Sequence, residues 1–221
     1  MLKRIALLLL LAAGLPWALQ AQSSAPKWMP DSVYYLMPRF DQGYVFLRGK
    51  MPAQGKMNIC AVDNTLRFIG PDGEELSATE DGDIVKVRID SVMFLRDHDI
   101  FYRLYPLSSE MGVALQREVR IFWDAKEGAY GSVSQTSSIQ QYGIIHSDGS
   151  THTLSGLKEY PYSVSETLSI YKEGTIYPIT RKNLRKLFPA HKDEIDAWFK
   201  AGNKLPETVA EALDFLTRWM D

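Results

Sequence analysis

The chain carries one cysteine, Cys60, among 221 residues. That excludes a disulfide framework and any zinc site built from several thiolates. Neither sign of charge is in excess. Lysine and arginine number 25 against 27 aspartates and glutamates, a formal net charge of −2. Nucleic acid as a bulk partner is therefore excluded, because a phosphate backbone selects a strongly basic face. Beyond the N-terminus no apolar run approaches the roughly 20 residues of a membrane-spanning helix. Common catalytic signatures are missing too. There is no Gly-x-Ser-x-Gly elbow, no His-Glu-x-x-His and no EF-hand loop. Gly43 to Lys50 ends like a phosphate loop, but its glycines are too far apart, and Met51 stands where a magnesium-holding Ser or Thr belongs. Ser155 and Lys158 form a Ser-x-x-Lys pair; Ser24 and Lys27 repeat it, and the companion motifs of such enzymes are absent.

What is present begins with an address. Lys3 and Arg4 precede an apolar stretch from Ile5 to Ala13, and Ala18-Leu19-Gln20-Ala21 offers small residues for cleavage. A basic head, a short apolar centre and a small-residue exit predict a secretory signal peptide over residues 1–21. No cysteine follows the apolar stretch, so the bacterial lipid-attachment box is missing. The expected destination is the periplasm, the cell surface or the medium. Hydrophobic residues make up 45% and charged residues 24%, within the range of a folded domain.

Residues 22–179 read as a β-rich domain of short strands broken by turns. Runs at 44–47, 56–62, 66–69, 100–105 and 118–123 have strand character. The clearest spans residues 83–90: Val85, Val87 and Ile89 are expected to face a core, with Lys86, Arg88 and Asp90 toward water. Gly70-Pro71-Asp72-Gly73 has turn chemistry, and Asp148-Gly149 and Lys172-Glu173-Gly174 mark hairpins. Cys60 lies in an apolar run and reads as a buried, inert thiol. Residues 128–138, small and polar, read as a flexible loop.

From residue 180 to 221 the apolar period changes to that of helices. Thr180 is expected to cap a helix with Leu184, Leu187 and Phe188 on one face, stopped by Pro189. A second helix carries Ile195, Trp198 and Phe199 and ends at Gly202. A third, entered at Pro206, carries Val209, Leu213, Leu216 and Met220. The expected fold is mainly β, an antiparallel meander, sandwich or partly open barrel, with a small C-terminal helical bundle: α+β overall.

Two stretches carry a resemblance. Lys182-Asn183-Leu184-Arg185-Lys186-Leu187-Phe188-Pro189 resembles the C-terminal Lys-Asn-Leu-x-Lys-Leu-Phe-Pro segment of exported proteins of the Bacteroidota. Phe40-Asp41-Gln42-Gly43-Tyr44-Val45-Phe46 and Leu66-Arg67-Phe68-Ile69 resemble the opening β-meander of the same group. No activity is attached to that group, so the resemblance implies location and layout alone.

Candidate sites are few. Arg181, Lys182, Arg185 and Lys186 put four cations into less than two helical turns, a patch suited to phosphate, an acidic polysaccharide or an acidic partner. His146, Asp148 and His152 are the compact set of metal-capable side chains, on both sides of the Asp148-Gly149 turn. Trp28, Tyr34, Tyr35, Tyr102, Tyr105, Trp123, Tyr160 and Tyr162 supply aromatic surface, read mainly as core or cross-strand pairs. The resulting expectation is a non-enzymatic envelope protein that binds or assembles with a protein or glycan partner, with no cofactor. The alternatives are a polysaccharide or cell-wall hydrolase, whose two carboxyls would stand roughly 5–10 Å apart across a cleft, and a metal-binding module.

Overall fold

The structure, a computed structural model, describes residues 28–78, 81–122 and 160–220. The signal peptide expected at 1–21, the loop expected at 128–138, Ser155 and Lys158, and the candidate ligands His146, Asp148 and His152 lie outside the described residues.

Ten strands form one open antiparallel sheet. In chain order they are β1 (Asp41–Leu47), β2 (Ala53–Ile59), β3 (Leu66–Ile69), β4 (Glu75–Ser77), β5 (Ile84–Ile89), β6 (Val92–Asp97), β7 (Ile100–Pro106), β8 (Met111–Ile121), β9 (Tyr162–Lys172) and β10 (Thr175–Pro178). Their spatial order is β10-β9-β8-β7-β6-β5-β1-β2-β3-β4. Two meanders therefore meet where β1 pairs with β5, and among the described strands only the β4-to-β5 connection joins ones that are not neighbours.

Turn chemistry sets the local hairpins. Gly70 N–H donates to Glu74 O at 2.8 Å across the Pro71-Asp72-Gly73 turn. Glu173 and Gly174 take φ of 49° and 82° between β9 and β10, the two left-handed residues of a primed two-residue turn.

The strand at residues 83–90 forms, but one of its expected inward residues is on the wrong face. Phe46 pairs with Lys86 and the next residue, Leu47, pairs with Ile84, so the ladder skips Val85. This bulge reverses the alternation on one side of it. Ile84, Val87 and Ile89 are buried, while Val85 is 37% exposed. The core they join also holds Val45, Met57, Ile59, Leu66, Phe94 and Phe101. Each such side chain taken out of water contributes about 1.5–3 kcal/mol.

Residues 28–37 run along one end of the sheet as a strap that includes a single helical turn, α1 (Asp31–Tyr34). Trp28 stacks edge-on against Tyr160, ring centroids 5.9 Å apart. Arg117 of β8 donates to Ser32 O at 3.1 Å, Ala61 N–H donates to Tyr34 O at 2.7 Å, and Leu36 N–H donates to Ile59 O at 2.9 Å. Met29, Ala61 and Val119 form one buried cluster. β8 and β2 stand five places apart in the sheet, about 24 Å if it were flat. One methionine cannot reach that far, so the sheet curls to bring them together.

Three helices follow the sheet: α2 (Arg181–Leu187), α3 (Lys192–Lys200) and α4 (Val209–Thr217). Thr180 caps α2 as expected, its hydroxyl accepting from Asn183 N–H at 3.2 Å. Leu184, Leu187 and Phe188 pack with Ile195, Phe215, Leu216 and Trp219 over Met111, Val113 and Ile170 of β8 and β9. The entry to α4 differs from expectation. Pro206 lies before the helix, and Thr208 is the cap, with Glu211 returning a bond to complete a capping box. Its buried stripe is also rotated. Ala212, Phe215, Leu216 and Trp219 face inward, whereas Met220 is 39% exposed, because centring the face on two large aromatics removes more apolar area from water. Among the described residues no helix is long and apolar enough to cross a membrane.

Candidate functional site

The basic helix stands at the centre of a shallow surface groove. In α2, Leu184 and Leu187 turn inward, and helical geometry then forces Arg181, Lys182, Arg185 and Lys186 outward. All four are exposed. The chain turns at Phe188-Pro189 and starts α3, which brings Lys192 to the same depression. The five cations and Pro189 line an open groove of about 690 Å³.

One carboxylate organises it. Asp196 Oδ1 on α3 accepts from Arg181 Nε at 2.7 Å and lies 3.5 Å from Arg185 Nε. The Arg181 hydrogen bond holds the Asp196 carboxyl below its ordinary 3.8, with the charges of Arg181 and Arg185 adding to it. The Asp196 bond in turn raises Arg181. Both arginines contact Asp196 through Nε, and their side chains stay 51% and 45% exposed. Their terminal nitrogens are thus aimed by Asp196 rather than consumed by it. Lys186 sits 5.2 Å from the centre of the Tyr177 ring, a cation–π contact that orients its ammonium. Arg185 and Lys186 occupy the last turn of α2 and suit its macrodipole; Arg181 and Lys182 occupy the first and oppose it.

All four cations expected from the sequence therefore share one surface. Three contributors were not foreseen: Lys192, Asp196 and Tyr177. Asp196 and Lys192 belong to the next helix, and only the turn at Pro189 brings them back. Tyr177 comes from the β10 edge. Beyond Pro189 lies a second shallow groove of about 280 Å³, lined by Met111, Leu187, Phe188, Trp219, Met220 and neighbouring residues. Among the described residues, the linings of these two grooves contain no carboxylate. Among the described residues no group of three His, Cys, Asp or Glu side chains is placed to hold a metal ion.

A second polar cluster is buried where the strap meets β2, β3 and β4. Arg67 pairs with Asp63 and lies 4.0 Å from Glu75 Oε1. Tyr35 donates its hydroxyl to Glu75 Oε2 at 2.6 Å. The Glu75 side chain is 3% exposed and that of Arg67 17%. Burial lowers the Arg67 pKa, yet the surrounding negative groups, Asp63 first, leave it raised overall. Burial, followed by the nearby Asp63, pushes the Cys60 thiol up to about 12. Burial and then Cys60 raise Tyr34 well above its ordinary 10.0. These groups are held in protonation states that suit structure: a neutral thiol, a neutral phenol and a paired guanidinium. Cys60 is fully buried, as its apolar run suggested.

Comparison with known proteins adds no relative: no family model, no curated protein and no solved structure matches the chain.

Proposed function

We propose that the protein is exported to the cell envelope and works there as a non-enzymatic binding or assembly protein, docking an acidic partner on the basic groove of α2. One observation carries this reading: five cations line one shallow depression, and Asp196 pairs with two of them. Like charges repel, so such a cluster persists where an anion is to be met, and it steers that anion from solution. The signal-peptide pattern at 1–21 and the resemblance to exported proteins of the Bacteroidota support the location. The exposed guanidinium groups of Arg181 and Arg185, and Lys186 beside the Tyr177 ring, present donors to an anion and support the binding reading.

Affinity capture from envelope extract tests the proposal. The bait is residues 22–221, and the control carries Arg181→Gln, Lys182→Gln, Arg185→Gln and Lys186→Gln. A partner recovered by the native chain and lost from the control is the expected result. Equal recovery by both removes the groove from the interaction, and recovery of none by either removes the reading.

A further inference from the structure

We infer that the α2 groove is a site for a compact anion bearing two phosphate groups. The inference rests on the binding reading above and specifies its ligand chemistry. Arg181, Lys182, Arg185, Lys186 and Lys192 supply five positive charges, and Asp196 removes one. Four remain. One phosphomonoester carries about −1.5 to −2 at neutral pH, so two of them match the groove and one leaves it half neutralised. A groove of about 690 Å³ is far larger than a lone phosphate needs.

The arrangement of donors also selects phosphate. Arg181 and Arg185 are one helical turn apart on the same face, and so are Lys182 and Lys186, giving two parallel rows of cations. Asp196 fixes the arginine row through Nε and leaves planar, two-nitrogen edges for bidentate contact with phosphate oxygens. The lysine row supplies rotatable point charges that adapt to a second phosphate. Asp196 is a positioning residue here, since it acts through the two guanidinium groups.

Titration calorimetry on the whole chain tests the inference, with pyrophosphate and inorganic phosphate as probes at 50 and 150 mM salt. Pyrophosphate is expected to bind at least tenfold tighter than inorganic phosphate, and to weaken at the higher salt as screening shortens the reach of exposed charges. Arg181→Gln with Arg185→Gln is expected to weaken pyrophosphate at least tenfold; circular dichroism checks that the fold is kept. Asp196→Asn separates positioning from charge. The substitution adds one net positive charge, so a purely electrostatic patch would bind tighter, whereas a positioned one binds more weakly. Pyrophosphate no tighter than phosphate, or unchanged in the arginine double variant, overturns the inference; tighter binding by Asp196→Asn overturns the positioning role.

A second arm identifies the source of the anion. Soluble inositol bisphosphate is compared with phosphatidylcholine vesicles containing the corresponding bisphosphorylated lipid. Both outcomes that show binding support the site: preference for the vesicle assigns a lipid headgroup, and equal affinity assigns a free phosphorylated compound. Capture of an acidic protein with no pyrophosphate binding overturns this inference and leaves the docking proposal standing; absence of both removes both.

Discussion

Replacing Arg67 with methionine tests the buried polar cluster between the strap and the sheet. Arg67 lies between Asp63 and Glu75, and Glu75 also accepts from Tyr35 on the N-terminal strap. With the guanidinium gone, the Glu75 carboxylate, whose side chain is 3% exposed, keeps the Tyr35 hydroxyl but loses the Arg67 charge. Breaking a buried pair in this way costs roughly 3–5 kcal/mol. Asp63 is 38% exposed and recovers water, which places the cost near the lower end, about 3 kcal/mol. That is a large fraction of a typical total of about 5–15 kcal/mol. In a chain of this size it corresponds to a fall in Tm of roughly 6–12 °C. Urea unfolding followed by tryptophan fluorescence measures it as a lower midpoint with an unchanged slope. The companion variant, Arg67→Met with Glu75→Leu, removes both charges and is expected to recover most of the loss. The reasoning is refuted if Arg67→Met lies within about 1 kcal/mol of the native chain, or if the double variant is no more stable than the single one.

Three further outcomes are expected. On β5, Ile89→Ala is expected to cost about 2–5 kcal/mol and Val85→Ser less than about 0.5 kcal/mol, because the bulge buries the first and exposes the second; equal costs in urea unfolding would contradict the observed register. The Asp196 carboxyl is expected to titrate below 3.8 by carbon NMR and to move up toward it in Arg181→Gln; its depressed value means that the stabilisation from this pair is present above the ordinary value and is lost as pH falls through the lowered one, so a midpoint at 3.8 in the native chain would rule the pair out. Cys60 is expected to resist a thiol reagent at pH 8 until the chain is unfolded; its thiol is raised from 9.0 to about 12, so its contribution to stability is whole below 9.0 and fades as pH rises through the window to 12, and fast labelling of the folded chain would disprove its burial.

The elements that could be read from the sequence are those whose signal is local. Thr180 as a cap, Glu173-Gly174 as a hairpin turn and the inward row Leu184, Leu187 and Phe188 each depend on residues within one or two turns of chain. Val85 was misplaced because a bulge is fixed by the partner strand, here at Phe46 and Leu47, some forty residues away. The α4 face was misjudged for a similar reason: several stripes on that helix are apolar, and the choice among them belongs to the sheet and to α2 and α3. The cations of α2 were visible as a run, since helical spacing fixes their common face. Asp196, Lys192 and Tyr177 were not, because they enter from other elements. The Tyr35, Arg67 and Glu75 network was hidden for the same reason: its members join only when the strap crosses the curled sheet.

The long β8–β9 ladder has a consequence for how freely this chain can vary. Its partners run in register from Met111 with Lys172 to Ile121 with Tyr162, and Phe122 N–H closes the far end on Pro161 O at 2.9 Å. The two points where the backbone leaves and re-enters the ladder are therefore neighbours, about 5 Å apart. Closure entropy grows only by about 0.6 kcal/mol for each doubling of length, so the cost of closing a chain across this junction depends weakly on how long that chain is. Chimaeras made at Phe122 and Pro161 are the natural way to use that closed junction.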